Sequence, residues 1–157
     1  MNRLCILVTA FALTFAAVAA TAADRTVVPK GYEKWEKSRQ KLITDKKSLF
    51  YGSHYIYADK KAFSTYRKGG KFPEGSRFVV VNHSIKEVAG TLVEGKKSMI
   101  VMMEKNRKYK DTGGWLFAGF TPEGRPAGLD PVKNCFECHL KDASDRDFVI
   151  STFKDFR

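Results

Sequence analysis

Cysteine is scarce in this chain, three among 157 residues. Cys5 lies in an apolar N-terminal run; the others are Cys135 and Cys138. No second C-x-x-C pair exists, so a four-thiolate zinc site is excluded. Acidic side chains are also few, 17 against 28 lysines and arginines, for a formal net charge of +11. The lysines are scattered singly and in pairs (Lys46-Lys47, Lys60-Lys61, Lys96-Lys97), the pattern of a solvated surface rather than a groove-reading stripe. No nucleic-acid partner is expected. A surface of this sign steers acidic partners, such as an acidic redox protein. Internal repeats, low-complexity tracts and long linkers are absent past the N-terminal run, which argues for one domain.

The N-terminus carries its own message. Met1-Asn2-Arg3 is a short basic start, Leu4 to Ala20 is almost wholly apolar, and Ala20-Thr21-Ala22 supplies small residues in A-x-A form. This reads as a secretory signal over residues 1–23, cleaved near Ala22 or Ala23. The run is on the short side for a spanning helix, so no membrane attachment is expected after processing. Cys5 is too early for a lipid-anchor cysteine at the cleavage point. The expected location is the bacterial periplasm. Residues 24–157 then form a single domain, long enough to bury roughly two thirds of its unfolded surface without extra staples.

Cys135-Phe136-Glu137-Cys138-His139 is the most informative stretch. It reads C-x-x-C-H, the attachment signature of a c-type haem. Two thiols separated by two residues reach the two vinyl groups on one edge of the macrocycle, and the next imidazole becomes an axial ligand of the iron. A C-x-x-C pair also serves as a redox dithiol, half of a zinc site or a disulfide. The thioredoxin-like alternative would open a helix inside a βαβ pattern, and none is visible. The sequence therefore predicts one haem c attached through Cys135 and Cys138, with His139 as its iron ligand.

The remaining pattern is mainly β. Tyr32, Trp35, Leu42 and Ile43 lie at roughly helical spacing, which predicts an amphipathic helix over 31–44. Aromatic residues from Phe50 to Tyr57 predict a strand. Asp59 can cap a short helix running to Lys68, stopped by Gly69-Gly70. Phe72 to Gly75 is a turn. Dense β-branched residues predict a strand over 76–85, with a possible extension through Leu92. Glu94-Gly95-Lys96-Lys97 reads as a hairpin turn, 98–104 as the next strand, Asp111 to Gly114 as a turn and 115–121 as a further strand. Residues 131–145 should be helical around the haem motif. The expected fold is α+β but mainly β: a curved antiparallel sheet with a few short helices and a C-terminal haem motif.

Several stretches resemble the cytochrome P-460 / cytochrome c′-β family: Gly31 to Trp35, Tyr55 to Asp59, Phe72 to Ser76, Gly114 to Phe117, Cys135 to His139 and Asp147 to Phe153. The resemblance covers most of the chain beyond the leader. It implies a homodimer of curved-sheet protomers, each with one haem held by the motif histidine and open on its distal side. One branch of the family carries a lysine–haem bond and oxidises hydroxylamine. The c′-β branch lacks the bond and binds small gases, nitric oxide above all, in an apolar pocket capped by phenylalanines. Counted without gaps from Phe72-Pro73-Glu74-Gly75, the cross-linking lysine falls near Val80, and no lysine occurs between Lys71 and Lys86. Lys86 reaches that place only through about six extra strand residues. The c′-β branch is the closer match, and nitric oxide or carbon monoxide the expected ligand.

Phe50 and Phe78 lie on strands expected to face the haem, with Phe78 and Val80 on one strand face. The two phenylalanines either cap the iron or are core aromatics. His54, His83, Met99, Met102 and Met103 could each supply a sixth ligand, which would make an electron-transfer cytochrome. Core filling explains the methionines as well, and a surface or in-sheet position the histidines. Arg125, Lys133 and Lys141 are candidates for the haem propionates. Glu87, Glu94 and Glu104 could take protons in hydroxylamine oxidation, or be ordinary solvated residues. Trp115, Phe117 and Phe120 read as core.

Overall fold

One six-stranded antiparallel sheet organises the computed structural model, which describes residues 26–157. The leader expected over 1–23 lies outside the described residues. The strands are β1 (Glu36–Lys37), β2 (Lys41–Ile43), β3 (Gly52–Ala58), β4 (Arg77–Val88), β5 (Thr91–Lys105) and β6 (Trp115–Phe120). Their order is β1-β3-β4-β5-β6, with β2 also on the outer edge of β3. β1 pairs with the Tyr57–Ala58 end of β3, and β2 with the Gly52–His54 end. The mainly β, curved-sheet expectation holds.

Strand side chains alternate between faces. The register aligns Ala58, Phe78, Met103 and Phe117 in one row, and Tyr57, Val79, Met102 and Ala118 in the next. The first row belongs to a core of Ile56, Ala58, Phe78, Met103, Trp115 and Phe117, closed by Ala62, Phe72, Cys135 and Val149. The opposite face buries Val79, Val81, Ile100, Met102 and Phe120 under Tyr32, with Val28 and Trp35 at its margin. Trp115 and Phe117 are therefore core on the first face, and Phe120 on the second.

Helix α1 (Lys60–Lys68) crosses from β3 to β4. The Asp59 carboxylate accepts the Ala62 N–H at 2.9 Å, an N-cap that stabilises by about 1 kcal/mol. Gly69, at φ 78, ends the helix where a side chain would strain the backbone. The apolar side of α1 places Ala62 in the core and lays Tyr66 against Phe72 and Phe78.

Phe50, expected on a strand, lies in the turn before β3, and two larger sequence expectations fail for identifiable reasons. The helix over 31–44 is instead a 3₁₀ turn (Tyr32–Lys34) followed by β1 and β2. Backbone groups that a helix would have used internally are satisfied by β3. Ser38 donates its N–H to the Ile56 carbonyl, and its hydroxyl accepts the Ile56 N–H. Leu42, meant for a buried helix face, is 50 % exposed. The second failure is the hairpin turn, which lies at Ala89-Gly90, both at positive φ as a two-residue hairpin requires. Gly95 sits inside β5, where the register slips between Asn82 and Ile85. A Cβ at Gly95 would strike Ser84. The glycine marks a bulge rather than a reversal.

Candidate functional site

The C-x-x-C-H segment is helical, and its start is set by Asp130. That carboxylate accepts the N–H groups of Val132 and Lys133 at 2.9 and 3.0 Å, and the same two bonds hold its pKa below the usual carboxylate range. Val132–Phe136 forms a π-helical turn that runs into α2 (Glu137–Ala143). Such turns shift residues off the ordinary helical phase. Cys135 is buried in the core and Cys138 is exposed. Burial pushes the Cys135 thiol up to about 11.

His139 is oriented from two sides. Its Nδ1 lies 2.7 Å from the Phe148 carbonyl oxygen, and its ring stands edge-on to Phe117 with centroids 4.9 Å apart. An Nδ1–H donated to that carbonyl leaves the Nε2 lone pair free for a metal. Burial lowers the imidazole pKa, with the Phe148 bond opposing.

The carbonyl that orients His139 sits on strained backbone. Asp147 and Phe148 have φ of 51° and 62°, a region that costs a non-glycine residue energy. Three contacts hold them there. Lys105 Nζ reaches Asp147 Oδ1 at 2.6 Å, Asp147 Oδ2 accepts the Phe72 N–H at 2.9 Å, and Trp115 Nε1 donates to the Asp147 carbonyl at 2.8 Å.

His139 lines a cavity of about 220 Å³. Phe50, Ile56, Phe78, Val80 and Met103 supply apolar wall, with Ile43, Val149 and Ile150. The three residues expected around a distal pocket, Phe50, Phe78 and Val80, therefore share one hollow with the motif histidine. Phe78 is also a core residue, packed on Tyr66, Phe72 and Trp115, so the two roles considered for it coincide. A larger and more open hollow of about 550 Å³ lies between the end of α1 and residues 144–153; His139 does not line it.

The cavity also has polar members that the sequence reading did not place there. His54 is buried rather than at the surface, and its Nδ1 has no hydrogen-bond partner among the described residues. Phe50 lies beside its ring at 6.0 Å. Burial first, and the Lys41 ammonium second, push its pKa down to about 4. Lys41 reaches the cavity from β2 and pairs with Asp155 at 3.0 Å. His54 shares the alternation phase of Ile56 on β3, a signal available in the sequence. Lys41 was hidden by the helix expected over its segment.

The other candidates are dispersed. Met103 lines the cavity, whereas Met102 is buried on the opposite face. Met99 is half-buried, and His83 stacks edge-on against Tyr55. Lys86 is exposed on the β4–β5 ribbon, paired across to Val93, and is not among the residues lining the cavity. Glu94 accepts hydrogen bonds from Ser53 and Gln40. Glu87 is exposed and Glu104 half-buried at the end of β5. Arg125, Lys133 and Lys141 are all exposed, and Arg125 pairs with Glu123 at 3.7 Å.

These donors suit a haem: two cysteines three residues apart on one helical segment, an imidazole whose Nδ1 is engaged and whose Nε2 is left available, and an apolar hollow beside it. A family model described as Cytochrome P460 matches residues 29–151. No curated protein matches the chain.

Proposed function

The chain belongs to the cytochrome P460 family and is a haem protein of it, and from that premise we propose that it binds nitric oxide or a related diatomic gas at a single haem c. Cys135 and Cys138 would hold the porphyrin by thioether bonds, and His139 would be the iron's one protein ligand. When bound, the haem would supply an iron centre able to take a diatomic gas. The chain supplies the rest. The Phe148 carbonyl sets the tautomer and direction of His139, and Asp147, tied to Lys105, holds that carbonyl in place. Phe50, Phe78, Val80 and Ile56 keep water out of the hollow and limit it to small ligands.

The observation that carries this reading is the lysine-free wall of β4. Val80 faces the cavity at the position that the resemblance assigns to a cross-linking lysine, and Lys86 stands on the solvent-exposed ribbon. One observation favours the rival, a hydroxylamine-oxidising enzyme with a lysine–haem bond: Lys41 lines the cavity from β2. Its ammonium is engaged by Asp155 at 3.0 Å, which supports a structural ion pair instead. Intact mass and peptide mapping decide between them. The proposal expects one haem on the peptide carrying Cys135 and Cys138, with Lys41 unmodified; a haem-linked Lys41 peptide would overturn it in favour of the enzyme.

The wider setting is proposed on the same footing. The leader sends the protein to the periplasm, where it scavenges, senses or shuttles nitrogen oxides. The basic surface suits an acidic redox partner. Val88, Leu92 and Val93, exposed on the β4–β5 ribbon, support a homodimer, which light scattering of the purified protein would test.

A further inference from the structure

The hollow beside His139 holds one buried polar side chain with a nitrogen to spare. Lys41 is paired with Asp155, the Ser151 hydroxyl with Tyr66, and His139 Nδ1 with Phe148. His54 is 8 % exposed, and its Nδ1 has no partner among the described residues. Its neighbour across the sheet, Asn82, donates its amide N–H groups to the Tyr51 carbonyl and the Ser98 hydroxyl and leaves its own Oδ1 unpartnered among the described residues. A buried polar group normally finds a partner, and an exception calls for an explanation. The packing here offers none: the ring lies against Phe50 and borders the cavity.

A neutral imidazole has one N–H to donate and one lone pair to accept. Donors in the pocket beside an open haem decide which ligands are held, because dioxygen gains negative charge on binding and carbon monoxide gains little. We propose that His54 hydrogen-bonds the outer atom of a small ligand held in this cavity, making the site retain dioxygen, and other ligands with a negative outer atom, better than an apolar pocket would. The proposal rests on the open-site reading given above. It departs from the wholly apolar pocket that the resemblance implied.

The test uses the reduced holoprotein and the variants His54→Leu and His54→Gln. Dioxygen dissociation and the C–O stretch of the carbon monoxide adduct are measured for each. His54→Leu should speed dioxygen loss roughly 10- to 100-fold, the range for one charge-assisted hydrogen bond, and raise the C–O stretching frequency. Carbon monoxide dissociation should move far less. His54→Gln, which keeps a donor, should fall near the wild type. Unchanged dioxygen loss and stretch in His54→Leu would reduce His54 to packing and overturn the proposal. A low-spin wild-type spectrum that turns high-spin in His54→Leu would make His54 an iron ligand, also overturning it. A low-spin spectrum that persists in His54→Leu, with no gas bound by either protein, would instead sink the open-site reading.

Discussion

Replacing Lys105 with methionine should unsettle the haem site from behind. Lys105 and Asp147 meet at 2.6 Å, with side chains only 16 % and 7 % exposed. The ammonium also lies 4.8 Å from the Trp115 ring centroid. Methionine keeps most of the packing volume but leaves the Asp147 carboxylate buried with only the Phe72 N–H. Removing one partner of a buried pair costs about 3–5 kcal/mol, because the remaining charge is uncompensated. For a domain of this size that lowers the melting midpoint by roughly 10–20 °C. Asp147→Asn should cost a similar amount by stranding Lys105, although asparagine tolerates the left-handed backbone. The double variant strands no charge, so it should lose clearly less than the two single losses added together. Thermal melts of the four holoproteins give the cycle. A functional readout separates this lock from generic stabilisation. Loosening Asp147 loosens the Phe148 carbonyl, which makes His139 a weaker donor and raises the reduction potential. A Lys105→Met loss under about 1 kcal/mol, the surface-pair value, with an unmoved potential, would refute the reasoning.

Three further outcomes are expected. In the haem-free folded chain, a thiol reagent near pH 8 should label exposed Cys138 well before Cys135, which is buried and titrates near 11; equal rates, followed by mass spectrometry, would contradict the burial. Acid should destabilise the fold through His54. Its folded pKa of about 4 lies below the ordinary 6.5, so its contribution is complete above pH 6.5 and is lost as pH falls through 4. The loss is up to about 3 kcal/mol, and denaturant melts of His54→Leu should show that acid limb flattened. Gly52→Ala should cost about 2–4 kcal/mol, because Gly52 sits at φ 134 and a Cβ there would collide with the His83 carbonyl; a loss below 0.5 kcal/mol would show that β3 and β4 separate easily at that point.

Local chemistry made some parts of this molecule readable in advance. Asp59 and Gly69 bracket α1 because a carboxylate satisfies free N–H groups and glycine tolerates left-handed backbone, and both are local effects. The β-branched run Val79-Val80-Val81 makes a central strand for the same reason. Period two placed Phe78 and Val80 on one face, and they line the same cavity. Readability ends where distant backbone decides. Tyr32, Trp35, Leu42 and Ile43 have helical spacing, but β3 offers an edge that their segment pairs with. Gly95 resembles a turn glycine until β4 is seen passing close to it. Lys41 enters the site only because β2 lies on the edge of β3. The left-handed Asp147-Phe148 pair has no glycine to announce it, since Lys105, Trp115 and Phe72 hold it from separate elements.

The most direct measurement is the electronic spectrum of the purified holoprotein, oxidised and reduced, before and after nitric oxide. An iron ligated by His139 alone should be high-spin and five-coordinate when reduced, and the spectrum should change at once and stoichiometrically when the gas is added. Low-spin spectra in both oxidation states that nitric oxide leaves untouched would contradict the account.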